Sequence, residues 1–382
     1  MIPAQDAREA WLTLLGSGLD RSTIALALQT AVDARELLDA SDAELASRFD
    51  FSPRAVEAIR RTPGRETVAR QLRAMDEHGM DLIPLNDPGF PRNLFHMRVP
   101  PPAVFVKGKI EDYDSLAVGI VGPRAATNYA VDVARRLATD FAPNLTVISG
   151  AAMGIDSTAH EAVLNAGGRT IGVLGCGIDI NYPSGNGRLR QRITEQGALL
   201  SIFPPGTKPL PGHFPMRNFV LAGLSLAVVV VEASKTSGGL VTARAAGEEG
   251  RPVYAVPGDI TRKNSEGSNL LIRDGAILCT SAADVIVDLE ATLHGELEML
   301  RRRRLTPAKI SPAAGRPQPA APDALQSALL DLINHSPAPH DSLLDRFVPD
   351  RCSLGELSSA LLMLEFAGRI QQLPGRVYAP KL

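Results

Sequence analysis

Cysteine, aromatic residues and charge of one sign are all scarce in this chain. Three cysteines in 382 residues, Cys176, Cys279 and Cys352, stand far apart with no CxxC pair. That spacing argues against a zinc knuckle or a disulfide framework and fits a reducing compartment. The formal net charge is −2 and the pI about 6.4, so no overall positive field advertises nucleic acid. Any nucleic-acid site must be a local patch. Long apolar runs are missing too: Leu224–Val231 is far too short to span a bilayer. Residues Met1–Asp6 lack the basic-then-apolar pattern of a leader, so a cytoplasmic setting and no membrane contact are expected. Aromatic content is 4%, and Trp11 is the only tryptophan. Two nucleotide signatures are absent as well. Arg124 stands where G-x-G-x-x-G needs its second glycine, and Ser149-Gly150 offers no acid for a ribose. No G-x-x-x-x-G-K-[ST] occurs. His160 has no companions at metal-ligand spacing. Neither cofactor nor metal is expected.

What is present is ordinary globular composition, 45% hydrophobic and 21% charged. The chain is organised around Leu116-Ala-Val-Gly-Ile-Val-Gly-Pro-Arg124, a short buried strand, a tight turn and a helix over Asn128–Phe141. From Leu116 to about Asp288 strands and helices alternate. Strands are expected at Leu116–Val121, Thr146–Ser149, Thr170–Leu174, Ala198–Phe203, Ser225–Glu232, Pro252–Val256 and Ala276–Cys279. Helices are expected at Asn128–Phe141, Ile155–Asn165, Arg188–Gln196, Met216–Gly223, Leu240–Glu249 and Ser268–Arg273. Such alternation predicts an α/β fold with a Rossmann-like, doubly wound parallel sheet. Residues Asp81–Gly108 read as a docked extension of that sheet, with a strand at Pro100–Gly108 entered from a rigid proline run.

Before the sheet, Asp6, Asp20, Asp33, Ser41 and Ser52 each sit where they can cap a short helix. A basic helix, Arg65–Glu77, follows. These predict an all-helical module resembling a sterile-alpha-motif or helix-hairpin-helix domain. Its Gly16-Ser17-Gly18 turn suits either a phosphate cradle or a packed C-cap. After the sheet, residues 306–322 are rich in Pro, Ala and Gly, as in a linker. Leu325–Asn334, Asp341–Phe347 and Ser353–Gly368 read as helices and Ile370–Tyr378 as a hairpin, together a winged helix. The expected division is 1–78 helical module, 79–300 extended sheet domain, 301–322 linker and 323–382 winged helix. Ser353–Gly368 carries Glu356 and Glu365 but no basic residue, so the winged helix is expected to meet protein rather than duplex DNA.

Four strand-to-helix turns share one device. They are Gly122-Pro-Arg124 with Thr127, Ser149–Asp156 with Gly150, Gly175–Pro183, and Glu232–Gly239 with Ser237, Gly238 and Gly239. Each sets Gly, Ser or Thr where backbone N–H groups open at a helix start. Several such turns on one sheet edge predict a polyphosphate or phosphodiester site. Lys235 adds charge there. A second cluster, His213–Phe219, offers Arg217 for phosphate and Asn218 for backbone or base. Phe219 could stack an unpaired base, whereas Phe214 is expected in the core. Asp156 and His160 lie four apart on a helix and suit a structural pair better than an acid/base pair. Glu232 is the one carboxylate placed to serve a rival enzyme, a nucleotide phosphoribohydrolase of related fold.

Gly122-Pro-Arg124, Ser149–His160, Asn181-Tyr-Pro183, Phe214–Asn218, Glu232-Ala233 followed by Ser237–Ala243, and Pro257-Gly258 together resemble the DNA processing protein A (DprA, or Smf) family. The resemblance covers the whole central domain in order and spacing. It implies a bacterial cytoplasmic protein that binds and protects incoming single-stranded DNA, forms a homodimer and loads the RecA recombinase during natural transformation. Single-strand-binding protein is a further candidate partner. It implies no catalysis, and so no catalytic residue. Arg124 and the Gly122 N–H would grip phosphate, with Arg217, Asn218 and the Ser237–Gly239 turn beside them. Three positions depart from the family pattern. Ser184 stands where lysine is common, leaving Arg188 to supply that contact. Phe219 replaces a second arginine, and Ile202 an acidic residue.

Overall fold

The computed structural model describes residues 5–31 and 33–293, and in a second compact unit 324–335, 338–347, 357, 360, 361, 364, 369–373 and 377–380. The predicted 301–322 linker lies outside the described residues.

Short capped helices open the chain. They are α1 (Gln5–Leu15), α2 (Arg21–Ala27), α3 (Ala34–Asp39), α4 (Asp42–Ser47), α5 (Pro53–Arg60) and α6 (Arg65–His78). Asp20, Asp33, Ser41 and Ser52 each accept a first-turn N–H, and Glu44 returns a bond to Ser41 to complete a capping box. Helix α1 starts at Gln5, so Asp6 lies within it instead of capping it; acids are favoured inside a first turn as well as before it. The Gly16-Ser17-Gly18 turn is a packed one. Its N–H groups donate to Leu12, Leu14 and Ala58 carbonyls at 3.0, 3.1 and 3.2 Å, which leaves none for a phosphate.

Nine strands form one sheet: β1 (Asp81–Pro84), β2 (Ala103–Gly108), β3 (Ala117–Val121), β4 (Thr146–Ser149), β5 (Thr170–Leu174), β6 (Ala198–Ser201), β7 (Ala227–Val230), β8 (Val253–Ala255) and β9 (Ile277–Leu278). The order is β1-β2-β6-β5-β4-β3-β7-β8-β9. Strands β3 to β9 run parallel, while β1 and β2 add an antiparallel edge on β6, the predicted extension. Between β1 and β2 lies the short α7 (Arg92–Phe95). The crossovers are α8 (Asn128–Phe141), α9 (Ile155–Asn165), α10 (Gly187–Gln196), α11 (His213–Leu224), α12 (Gly238–Glu248) and α13 (Glu266–Arg273), followed by α14 (Ala282–Thr292). Right-handed crossovers put α8, α9 and α10 on one face and α11, α12 and α13 on the other. The strands are buried because both faces are covered: β3, β4, β5, β6 and β7 show no exposed residue. One apolar cluster joins the helical N-terminal region to the sheet, and a second lies under α8, α9 and α14.

In the second unit, Ala324–His335 and His340–Phe347 are helical. Strand Val377–Pro380 pairs antiparallel with both Ala338–Pro339 and Ile370–Leu373. Leu357, Ala360, Leu361 and Leu364 are helical and buried, the apolar stripe of the predicted third helix; the rest of Ser353–Gly368 lies outside the described residues. Helices and a small antiparallel sheet around one core make a winged helix.

Candidate nucleic-acid interface

Parallel order sends every strand-to-helix turn of β3 to β8 to the same edge. Strand order reverses between β3 and β7: α8 leaves β3 on one face, and α12 leaves β7 on the other. Ligands of doubly wound sheets bind in the crevice at such a reversal. Here the two turns touch. A Cβ placed on Gly239 would lie 4.0 Å from the Gly122 Cα, and one on Gly122 would strike Ile155 at the start of α9. Gly154, at φ +82°, lets α9 begin directly beneath the Pro123 and Arg124 carbonyls, 2.4 Å from where its Cβ would be. Larger residues at Gly122 or Gly154 would push these turns apart.

Arg124 projects from this junction. It is exposed, and no described carboxylate lies within ion-pair distance of it. Its guanidinium carbon sits 5.0 Å from the centre of the Phe214 ring. Arg217 approaches the same ring at 5.9 Å, and Tyr182 lies 5.9 Å away, tilted by 46°. Two rings thus meet an exposed cation at the crevice mouth and a buried one at its floor.

Beneath them the polar groups are buried. Arg217, 6% exposed, donates to the Val173 carbonyl at 3.2 Å and faces Asp156 at 3.8 Å. Gly150 makes room for it, since a Cβ there would fall 1.3 Å from the guanidinium Nη1. Burial pushes the Asp156 carboxyl above the usual range, against the pull of Arg217. His160 lies deeper still. Its Nδ1 is 2.6 Å from the Thr170 hydroxyl, which itself donates to Val147. Burial first, and then the Arg217 charge, depress the imidazole to about 3, so it stays neutral. Asp156 and His160 are therefore not paired with each other: Asp156 serves Arg217, and His160 serves the core.

Glu232 is equally committed. It is 3% exposed and accepts from the Thr127 N–H at 3.2 Å and hydroxyl at 2.8 Å. Thr127 in turn caps α8. These bonds fasten the β3 turn to the β7 turn and engage both carboxylate oxygens. The third turn is braced too. Gly177 donates to Thr207, Asp179 accepts from Gly206, and the buried Arg190 guanidinium holds the Ile178 and Ile180 carbonyls.

The structure thus brings Gly122, Arg124, Thr127, Gly150, Arg217 and Gly239 together. Ser237 caps α12 by accepting from the Gly239 N–H at 3.3 Å, with Gly238 exposed beside it. Lys235 is exposed and pairs with Glu266 at 3.5 Å. Arg188 is exposed at the start of α10, and Asn218 is half-buried. The two phenylalanines exchange places. Phe219 packs against the apolar core, while Phe214, expected in the core, faces the cations. The cause is the helix start. Helix α11 begins at His213, not at Met216, so Phe214 lies three residues before Arg217 on one face and Phe219 on the opposite one. The Arg217–Asp156 pair was not foreseen from the sequence, Gly150 being its only signal, and Tyr182 entered there only within the Asn181-Tyr-Pro183 motif, without a stacking role. Among the described residues no group of three or more His, Cys, Asp or Glu side chains converges as for a metal, and no helix is long and apolar enough to cross a membrane.

Comparison with known proteins agrees in both units. Residues 81–290 match the family described as DNA recombination-mediator protein A, and residues 311–376 match the DprA winged helix domain. Protein Smf of Escherichia coli is 35% identical over 316 residues, which cover 81% of this chain and 80% of that one. The X-ray structure of DNA processing protein A from Streptococcus pneumoniae is 33% identical with a TM-score of 0.64, covering 75% of this chain and 98% of that one. DNA processing protein A from Helicobacter pylori, whose structure concerns its single-stranded DNA binding mode, is 27% identical with a TM-score of 0.50, covering 56% and 96%.

Proposed function

This chain belongs to the DNA recombination-mediator protein A family, and from that premise we propose that it binds and protects single-stranded DNA in the bacterial cytoplasm and hands it to the RecA recombinase during natural transformation. The observation that carries the reading is Arg124, an exposed guanidinium with no carboxylate within ion-pair distance among the described residues, set over the Phe214 ring at the crevice mouth. A phosphate can pair with the cation while an unpaired base meets the ring, and neither contact reads sequence. The Gly122 N–H and, at the α12 start, the Gly238 N–H supply further donors, the Ser237 and Gly239 N–H groups being taken by the Ser234 carbonyl and the Ser237 hydroxyl. The protein works as a homodimer on strands that single-strand-binding protein also covers, and its winged helix meets protein rather than duplex.

The test is a gel shift with single-stranded and duplex oligonucleotides at two salt concentrations, followed by RecA filament assembly on strands precoated with single-strand-binding protein. Preference for the single strand, affinity that falls with salt, and faster RecA assembly are the expected results. Equal affinity for duplex, or release of free base from nucleoside monophosphates, would overturn the reading.

A further inference from the structure

Tyr129 is a large aromatic left open beside the crevice. It lies in the first turn of α8, two residues past Thr127, with 46% of its surface exposed. Yet its hydroxyl donates to the Pro257 carbonyl at 2.9 Å. That turn is itself clamped, because Asn269 accepts from the Gly258 N–H at 3.0 Å and donates to the Gly258 carbonyl at 2.9 Å. The ring is fixed at its far end without being covered. Its rotamer freedom is already spent in the free protein, so contact with a ligand orders little more.

The surroundings suit a nucleotide. Lys235, Arg262 and Lys263 are exposed on the loops after β7 and β8. Lys235 and Arg262 pair with Glu266 and Asp259 at 3.5 and 3.6 Å. Exposed pairs of this kind are weak, so a phosphate can compete for either cation. Exposed Ile260, at the tip of the same loop, adds an apolar edge.

Sheet order gives the spacing. Phe214 lies against Gly175, just past β5, and Pro257 lies just past β8. Four interstrand steps separate these ends, about 19 Å at ~4.8 Å each. Arg124 and Thr127, past β3, fall between them.

We propose that Tyr129 is a second base-stacking platform, and that one DNA strand runs from Phe214 past Arg124 and Thr127 to Tyr129. This rests on the single-strand reading of the site and extends it to a second subsite.

The full-length chain tests it. Tyr129→Leu should bind a twelve-nucleotide oligothymidylate roughly tenfold more weakly, since a base loses its aromatic partner. Its thermal midpoint should stay within about 2 °C of wild type, because the side chain is a surface one. Tyr129→Trp should restore the affinity. Trp11, the only native tryptophan, is 3% exposed, so the new indole is the surface reporter. Oligothymidylate should quench it, and an abasic strand of equal length, bound through phosphates alone, should not. Wild-type affinity in Tyr129→Leu, or equal quenching by both strands, overturns the proposal. Arg124→Ala separates the two failures. If it binds as tightly as wild type, the single-strand reading falls and this subsite with it. If it is weak while the Tyr129 variants match wild type, only the subsite falls.

Discussion

The mouth and the floor of the crevice each hold an arginine against the same phenyl ring, under opposite conditions. Arg124 is exposed and has no carboxylate within ion-pair distance among the described residues, whereas Arg217 is buried, bonded to Val173 and opposed by Asp156. A cation in water without an internal partner is available to a ligand. A cation in the interior is available only if its partner lets go, and its removal strands the partner's charge. The mouth is thus built for binding and the floor for holding the mouth in shape. Substitutions in the two places should separate accordingly, into loss of affinity and loss of stability.

The largest effect belongs to the floor. Asp156→Ala leaves the Arg217 charge buried and unpaired, and should lower the unfolding free energy by about 3–5 kcal/mol in a urea titration. A change under about 1 kcal/mol would mean that the floor is not a structural pair at all. At the mouth, Phe214→Leu keeps much of the volume but removes the aromatic face. It should weaken oligonucleotide binding by about 1–3 kcal/mol, read by fluorescence anisotropy, while Phe219→Leu leaves affinity alone. The reverse pattern would return the stacking role to Phe219.

A third effect is felt through pH. The His160 imidazole titrates near 6.5 in the unfolded chain and is pushed down to about 3 in the folded one. Above pH 6.5 both states are neutral there. As pH falls below 6.5 the unfolded chain takes up a proton that the folded chain refuses. Stability should therefore be lost on acidification, by up to about 1.4 kcal/mol per pH unit between roughly pH 6 and 4. Comparing urea midpoints at pH 7 and pH 5 for wild type and His160→Gln checks this, for the variant should lose that share of the slope. The smallest effect is expected at Lys235, whose pair with Glu266 is exposed. Lys235→Ala should leave stability within about 0.5 kcal/mol and cost only a few-fold in affinity.

Much of the scaffold was legible in the sequence. Thr146–Ser149 and Thr170–Leu174 are β-branched runs bounded by turn residues, and both are strands with those bounds. The helix over Asn128–Phe141 was read with its observed bounds, and the caps Asp20, Asp33, Ser41 and Ser52 announced four helices. Of the antiparallel edge, β2 was legible as a strand after the prolines at 100–102, while its pairing with β1 and β6 was legible only as something docked. At the site, the turns were readable because Gly, Ser and Thr gather where strands become helices. Phe214 was not. Pro215 invited a helix start after it, but proline is tolerated in a first turn, where its missing N–H is not needed. Helix α11 therefore begins two residues before Pro215. That short extension is what carries Phe214 onto the face of Arg217. Burial of Arg217 was illegible for a different reason: it depends on Gly150 and Asp156, which come from another strand and helix.

The measurement closest to the central claim is the salt dependence of single-strand affinity for wild type and Arg124→Ala. Each phosphate neutralised contributes about 0.7 to the slope of log K against log salt on a single strand. Arg124→Ala should bind at least roughly tenfold more weakly at low salt, with a slope shallower by about 0.7. An unchanged affinity and slope would show that Arg124 meets no phosphate, and would contradict the crevice mouth as the binding site.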